Sequence, residues 1–394
     1  MLITYRVASL NPQYAQFMIA LSTGLFMLPY FLVSATAGQL ADKYDRAKLT
    51  RITKIAEIIL MLLTAIGFFA GNIPFLLCIL FCIGAQSTFF GPIKYALIPQ
   101  HLNEDELLAG NAYIEAGTFL AILFGAILGG LLVLQPNGNL LMSVLIITCA
   151  VIGYISSLYI PAAPPPDPTL RMNWNVMQEN LHILRYACED AEVLLCILGV
   201  SWFWMLGAIF LSQFPPYAKH ILFADETVVT LFLTVFSIAV GVGSVLCTKL
   251  LKGQIRTTYV VAAMVGISLF TTDFYFASLS AVHNADGSVM GVMEFVRYLP
   301  NLRILGDLFL ISVCGGLYIV PLYTIMQVQS AEEHRARIIA ANNIINAMFM
   351  VASAILTVVL LKLHFTIPEI FLSVAVLNAA AAVYMYKTLP DKAV

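Results

Sequence analysis

The sequence predicts an all-α protein that crosses a membrane many times, and three observations carry that prediction. Hydrophobic residues make up 60% of the chain and charged residues only 11%. The mean hydropathy of +0.90 exceeds what a single soluble core of this length can absorb. The apolar residues also fall into repeated runs, each long enough to cross roughly 30 Å of hydrocarbon with about 20 helical residues. A porin-like barrel is excluded, because its strands would be about 10 residues long and alternate in polarity. A formal net charge of −2 points away from a nucleic-acid partner. The seven cysteines form no CxxC pair, so there is neither a zinc spacing nor a disulfide framework. Cys78 and Cys82 lie one helical turn apart in an apolar run, as small hydrophobic residues would. No phosphate-binding loop is present, so nothing suggests ATP-driven pumping, and no cofactor is implied.

The runs place eleven spans at about 14–38, 53–71, 74–92, 109–134, 139–161, 191–213, 226–250, 257–281, 303–327, 338–362 and 366–387. Assigning the loops alternately to two sides puts fifteen Lys and Arg on one side and five on the other. That asymmetry makes the first side cytoplasmic, and the C-terminus with it. Between the fifth and sixth spans lies PAAPPPDPTLRMNWNVMQENLHILRYACEDAEV, residues 161–193. Its prolines end the preceding span. Trp174, Met177, Leu181 and Leu184 then recur at spacings of three and four, while Asn173, Asn175, Gln178, Glu179 and Asn180 occupy other faces. This predicts an amphipathic helix lying in the inner membrane interface. The expected organisation is an N-terminal half, 1–162, a cytoplasmic linker, 163–190, and a C-terminal half, 191–394.

Internal repetition supports two related halves. AGNAYIEA at 109–116 and AANNIINA at 340–347 align at a constant offset, matching Asn111 to Asn342 and Glu115 to Asn346. FFGPIKY and YIVPLYT likewise set Pro92 against Pro321. Parallel repeats are one way that transporter halves arise. The second half then holds six spans and the first half five. The run MLITYR, which covers about 9 Å of helix, reads as the tail of a first helix, and a truncated or misplaced start is the expectation.

Charge is concentrated in GQLADKYDRAKLTRITK, residues 38–54, where Asp42, Lys43, Asp45, Arg46, Lys48, Arg51 and Lys54 fall within thirteen positions. An inner loop needs basic residues for orientation. That requirement explains neither the two acids nor Gly38 four residues before Asp42. The order Gly-x-Leu-Ala-Asp-Lys-x-Asp-Arg-x-Lys resembles the loop signature of the major facilitator superfamily, and that resemblance implies a glycine that lets two helices approach closely, an Asp near a helix N-terminus and an ion pair that breaks and reforms. Gly38, Asp42, Arg46 and Lys48 are therefore the candidate gating residues.

Acids inside spans are expected to face the protein, since an acid in lipid costs about 2.5–3.5 kcal/mol at a helix centre. Glu57 suits a structural pairing with the basic loop. Asp273 lies toward an outer helix end, and Asp307 is one turn from Arg303 on the same face. Glu115 has no basic residue within a turn on its own helix and is the strongest functional candidate. Gln86, Ser87, Thr88, Asn111, Gln213, Asn342, Asn343 and Asn346 are neutral groups for a cavity or for interhelical hydrogen bonds. Gly125, Gly129 and Gly130 form a small-residue face suited to close helix packing. No His lies mid-span.

The stretches ITYR, GQLADKYDRAK, GPIKYALIPQ, LLAGNAYIEAGTFLAILFGAILGG, GGLYIVPLY and EEHRARIIAANNIINAMFM together resemble the lysophospholipid transporter family of the major facilitator superfamily. They are similar above all to the branch fused to a glycerophospholipid acyltransferase and acyl-carrier-protein synthetase. The resemblance spans nearly the whole chain. It implies twelve helices in two pseudo-symmetric halves, with helix 1 largely missing here, and a bacterial inner-membrane location. It also implies inward flipping of lysophospholipids, chiefly lysophosphatidylethanolamine, for reacylation, with an acyltransferase/acyl-ACP synthetase as partner. Carried over residue by residue, Lys94 meets a phosphate and Glu115 an ammonium head group or coupling cation, with Asn111, Asn342 and Asn346 as neutral partners. This chain departs from the pattern in three places. Asp45 stands where the superfamily usually has Gly, the Asp-Asn pair of helix 1 is absent, and the seventh helix has no Arg, leaving Gln213 as its polar candidate. The competing functions are cation-coupled export of amphipathic drugs and a non-transporting membrane anchor for an acyltransferase.

Overall fold

A computed structural model describes residues 12–133, 135–251, 257–284 and 287–389. The Arg6 end and the C-terminal residues 390–394, to which the sequence reading assigned sides, lie outside the described residues. Among the described residues ten helices are long and apolar enough to cross a membrane, or eleven if one bent pair is a single span. In chain order the helices are α1 Pro12–Leu32, α2 Ser34–Lys43, α3 Arg46–Ala70, α4 Ile73–His101, α5 Glu104–Val133, α6 Gly138–Leu158 and α7 Val176–Ala187. They continue with α8 Ala191–His220, α9 Glu226–Leu251, α10 Thr257–Leu279, the single turn α11 Val292–Phe295, α12 Leu299–Gln329, α13 Arg335–Lys362 and α14 Ile367–Thr388. The bent pair is α1 with α2, turned by 48° at Val33. Pro29 lies just before the break, where its missing N–H and its ring weaken the helix.

The chain packs into two compact units, residues 1–101, 124–190 and 330–347 in the first and residues 102–123, 191–329 and 348–394 in the second. Helices α5 and α13 are each divided between them. The linker region thus groups with the first unit, as does the start of α13.

In the first unit α3 packs on α4 and α6, and α4 also receives α1 and α2. Helix α3 starts where Asp45 accepts the Lys48 backbone N–H at 2.8 Å, so the residue that departs from the superfamily pattern is an N-cap. Glu57 pairs with Lys54 at 2.7 Å, as expected of a structural acid. Helix α7 buries Glu179, Asn180, Ile183 and Ala187. Its other face leaves Met177 and Leu181 exposed, with Trp174 exposed just before the helix, an apolar edge suited to the membrane interface. Asn180 holds the helix to α1 by donating to the Phe31 carbonyl at 2.5 Å.

The second unit is organised around α12, which packs on α8, α9 and α10, while α14 packs on α8 and α10. Its core is aromatic. Phe210 stacks on Phe371 at 4.9 Å, and Phe274 sets its ring edge-on to Phe371 at 5.3 Å. Two expectations need correction here. In the first unit, a Cβ built on Gly125 or Gly130 would meet nothing within 4 Å, so these two glycines make no close helix crossing among the described residues, whereas Gly129 beside them is buried. Arg303 gives its guanidinium to Asp273 on α10 rather than forming its ion pair with Asp307 on its own helix, because the carboxylate across the helix contact meets the guanidinium fork with two oxygens.

Candidate functional site

Within the first unit the charged loop forms a latch. Asp42 and Arg46 are fully buried. The Asp42 carboxylate accepts from Arg46 Nη2 at 3.0 Å and from Arg337 Nε at 3.1 Å. It also accepts the backbone N–H groups of Ala336 at 3.2 Å and Arg337 at 3.3 Å. Those amides open α13, so the carboxylate sits where unpaired N–H groups and the helix dipole favour an anion. Arg46 also donates through Nε to the Ala41 carbonyl at 2.9 Å and through Nη1 to the Ala96 carbonyl at 3.2 Å. The approach of α2 to α13 depends on Gly38: a Cβ there would lie 2.9 Å from both Arg337 Cα and Ala340 Cβ. The Lys48 side chain is exposed and takes part only through its backbone.

The latch has a titratable neighbour. His334, in the loop before α13, stacks on Tyr186 of α7 at 4.7 Å. Burial, and after it the Arg337 guanidinium, push its imidazole below the usual histidine range; Glu333 and Asp167 oppose that shift and His182 adds to it.

Within the second unit α5 carries Asn111, Glu115 and Phe119 on one stripe, a turn apart. All three are buried. Asn111 Nδ2 donates to Thr324 Oγ1 at 3.1 Å and to Gln327 Oε1 at 2.6 Å, and Gln327 Nε2 returns a bond to Asn111 Oδ1 at 3.1 Å. Phe119 stacks on Trp204 at 6.0 Å and meets Phe203 and Phe236 edge-on. Glu115 therefore lies between a neutral amide cluster and an aromatic one. Beside it opens a groove of about 430 Å³, lined by Ala116 and Leu120 of α5 and by Ile238, Gly241, Val242, Val245, Leu246 and Lys249 of α9. The groove is apolar except at Lys249, and its volume falls in the range of ligand clefts.

The remaining candidates divide between the units. In the first, Lys94 is half-buried over the Tyr95 ring at 4.4 Å. Asn342 is buried with no hydrogen-bond partner for Oδ1, and Asn346 is half-buried. In the second, Gln213 is buried and donates to Ser212 Oγ at 3.3 Å. The structure thus gathers Gly38, Asp42 and Arg46 into one latch and sets Asn111 beside Glu115. Sequence reasoning passed over Arg337, Thr324, Gln327 and Lys249. Thr324 and Gln327 stand three residues apart just after Pro321, a helical polar spacing visible in the sequence. Arg337 appeared only as one inner-side basic residue; its partner is 295 residues away.

These helices, the latch at a loop between spans and the buried polar stripe are those of a multi-pass membrane transporter. The chain belongs to the Major Facilitator Superfamily, whose profile matches residues 2–296. Among curated relatives it is similar to the lysophospholipid transporter LplT of Enterobacter sp. (strain 638), 25% identical over 77% of this chain and 69% of the relative. The LplT of Pectobacterium carotovorum subsp. carotovorum (strain PC1) is 26% identical over 81% and 70%. Among solved structures, the fucose:proton symporter FucP of E. coli matches with a TM-score of 0.71 at 14% identity, covering 99% of this chain and 96% of that one. A bacterial homologue of the iron transporter ferroportin matches with a TM-score of 0.66 at 15% identity, over 98% and 93%. At these identities the two structures establish the fold alone.

Proposed function

We propose that the chain is a lysophospholipid flippase of the bacterial inner membrane. It moves chiefly lysophosphatidylethanolamine toward the cytoplasmic leaflet by alternating access between an N-terminal and a C-terminal half. An acyltransferase/acyl-ACP synthetase then reacylates the lipid. The observation that carries this reading is the groove between α5 and α9: an open apolar groove in which Lys249 is the cation among the described lining residues. A lipid with one acyl chain and a phosphate has that same division of chemistry. The groove's Ala116 adjoins buried Glu115, which suits the ammonium of ethanolamine. The similarity to lysophospholipid transporters points the same way. Lys94 is assigned a phosphate contact near the inner mouth, Asn111, Asn342, Asn346 and Gln213 are assigned neutral hydrogen bonds, and the Asp42–Arg46–Arg337 latch is assigned the inner gate. A buried ion pair loses in desolvation much of what it gains in attraction, so such a gate opens without a large net cost.

The groove gives the test. A Cβ at Gly241 would sit 3.7 Å from Ala116 Cβ, an ordinary contact, so the rest of a leucine side chain there occupies the groove. Gly241→Leu is expected to cut spheroplast uptake of labelled lysophosphatidylethanolamine at least tenfold at matched membrane abundance. Full uptake by Gly241→Leu would remove the groove from the path. Drug efflux by the chain without any lipid uptake would replace flipping by export. Neither activity, with co-purification of an acyltransferase, would make the chain an anchor.

A further inference from the structure

A buried donor in the first unit takes no part in the latch. Asn343 lies on α13, six residues beyond Arg337 and about 9 Å further along the helix. Its Nδ2 is buried and has no hydrogen-bond partner among the described residues. A Cβ built on Gly91 of α4 would lie 2.9 Å from that nitrogen, so the amide rests on α4 where glycine leaves the backbone bare. Asn342, the preceding residue, has a buried Oδ1 that is likewise unpartnered among the described residues. Successive residues point about 100° apart round a helix, so the contact with Gly91 singles out Asn343. Lys94 follows Gly91 by one turn on the same face of α4, about 4.5 Å along the axis. It is half-buried over the Tyr95 ring.

A buried donor without an acceptor is destabilising, and the cost is recovered when an acceptor arrives. The chemistry limits what that acceptor is. An amide nitrogen only donates, so the ammonium of ethanolamine, itself a donor, cannot satisfy it. The phosphate oxygens are matched by the Lys94 cation. In a 1-acyl lysophospholipid the next acceptor is the free glycerol hydroxyl, on the carbon beside the one that carries the phosphate ester; the acyl ester lies further along. The hydroxyl thus stands about one helical turn from a phosphate at Lys94, as Asn343 does. We propose that Asn343 reads the free glycerol hydroxyl of the lysophospholipid, donating from Nδ2 to the hydroxyl oxygen once α13 moves off Gly91. Gly91 covers the donor until then. This rests on the flippase reading and extends it from the head group and tail to the glycerol, the part that sets a lysolipid apart from a two-chain lipid.

The probe is a pair of labelled lipids that differ by one oxygen: 1-acyl lysophosphatidylethanolamine and its 2-deoxy analogue. Initial chain-dependent uptake by spheroplasts is measured for both at matched membrane abundance. The wild type is expected to take up the hydroxylated lipid at least about tenfold faster, because a site built to bond a hydroxyl rejects the analogue that lacks it. Asn343→Leu is expected to bring the two rates within about twofold of each other. Lys94→Ala is expected to slow both lipids and keep their ratio, since both carry the phosphate. Equal uptake of the two lipids by the wild type overturns hydroxyl recognition, leaves the flippase reading standing and needs no variant to fold. A tenfold ratio retained by a folded Asn343→Leu protein overturns the assignment to Asn343, and so does a ratio that collapses equally in Lys94→Ala. Uptake of neither lipid is the failure of the flippase reading itself, and the proposal falls with it.

Discussion

Two polar clusters join residues that are more than two hundred positions apart, and they are built differently. The latch of the first unit uses charge: Asp42 meets two guanidinium groups and two helix-opening amides. The cluster of the second unit uses neutral groups, Asn111 with Thr324 and Gln327. Both are buried. A neutral network satisfied by three side chains holds one arrangement and has no strongly hydrated alternative. A buried ion pair has one, because each of its members is well solvated once exposed. The difference teaches which cluster is suited to open. On the proposed function, the charged contact is the one suited to being remade and the amide contact the one suited to staying.

The largest effect is expected from Asp42→Asn. It leaves Arg46 and Arg337 buried without their carboxylate, a loss on the order of 3–5 kcal/mol. Lipid uptake should fall by more than tenfold, and cysteine probes at the inner ends of α2 and α13 should become more accessible. Equal accessibility in variant and wild type would show that the carboxylate does not hold the gate. Gly38→Leu comes next. Its side chain meets the backbone of Arg337 and the side chain of Ala340, and overpacking of this kind costs about 1–3 kcal/mol. It should open the same probes without lowering membrane abundance; unchanged labelling would separate the glycine from the latch.

Asn111→Ala is expected to cost about 1–2 kcal/mol, since it strips partners from buried Thr324 and Gln327. The loss should appear as a lower thermal midpoint in detergent, with uptake less affected than in Asp42→Asn. A larger uptake defect than that of Asp42→Asn would reverse the assignment of moving and fixed clusters. The latch should also weaken in acid. The His334 imidazole is held below its ordinary range by burial and by Arg337. Its contribution is therefore complete above about pH 6.5, the unfolded value, and is lost as pH falls from there through the folded one. His334→Gln should remove this acid-side increase in probe accessibility. Smallest of all, Lys48→Ala touches an exposed side chain and should stay within about 0.5 kcal/mol of wild type, with normal uptake.

The helices were legible because period and length suffice for them. The eleven apolar runs correspond among the described residues to ten helices of spanning length, or eleven with the bent pair, and the helix at Val176–Ala187 lies where Met177, Leu181 and Leu184 recur at spacings of four and three. One side of the buried charge cluster was legible as well, because Gly38, Asp42 and Arg46 lie within nine residues of sequence. Its other side was not. Arg337 looked like any inner-loop cation, and nothing in one sequence says which of the basic residues lies against Asp42. The same limit hid the partners of Asn111. It also misdirected Arg303, since a same-helix neighbour is visible in sequence and a cross-helix carboxylate is not. The groove escaped because it is defined by what its small residues, Ala116 and Gly241, leave empty.

The central claim is inward movement of a lysophospholipid, and it is tested most directly in liposomes containing only the purified chain. Labelled lysophosphatidylethanolamine is added to the outer leaflet, and the fraction protected from a membrane-impermeant amine reagent is followed over time, with Glu115→Gln in parallel. The account predicts rapid protection that requires the chain, and a sharp loss of rate in Glu115→Gln. Protection no faster than in protein-free liposomes would contradict it.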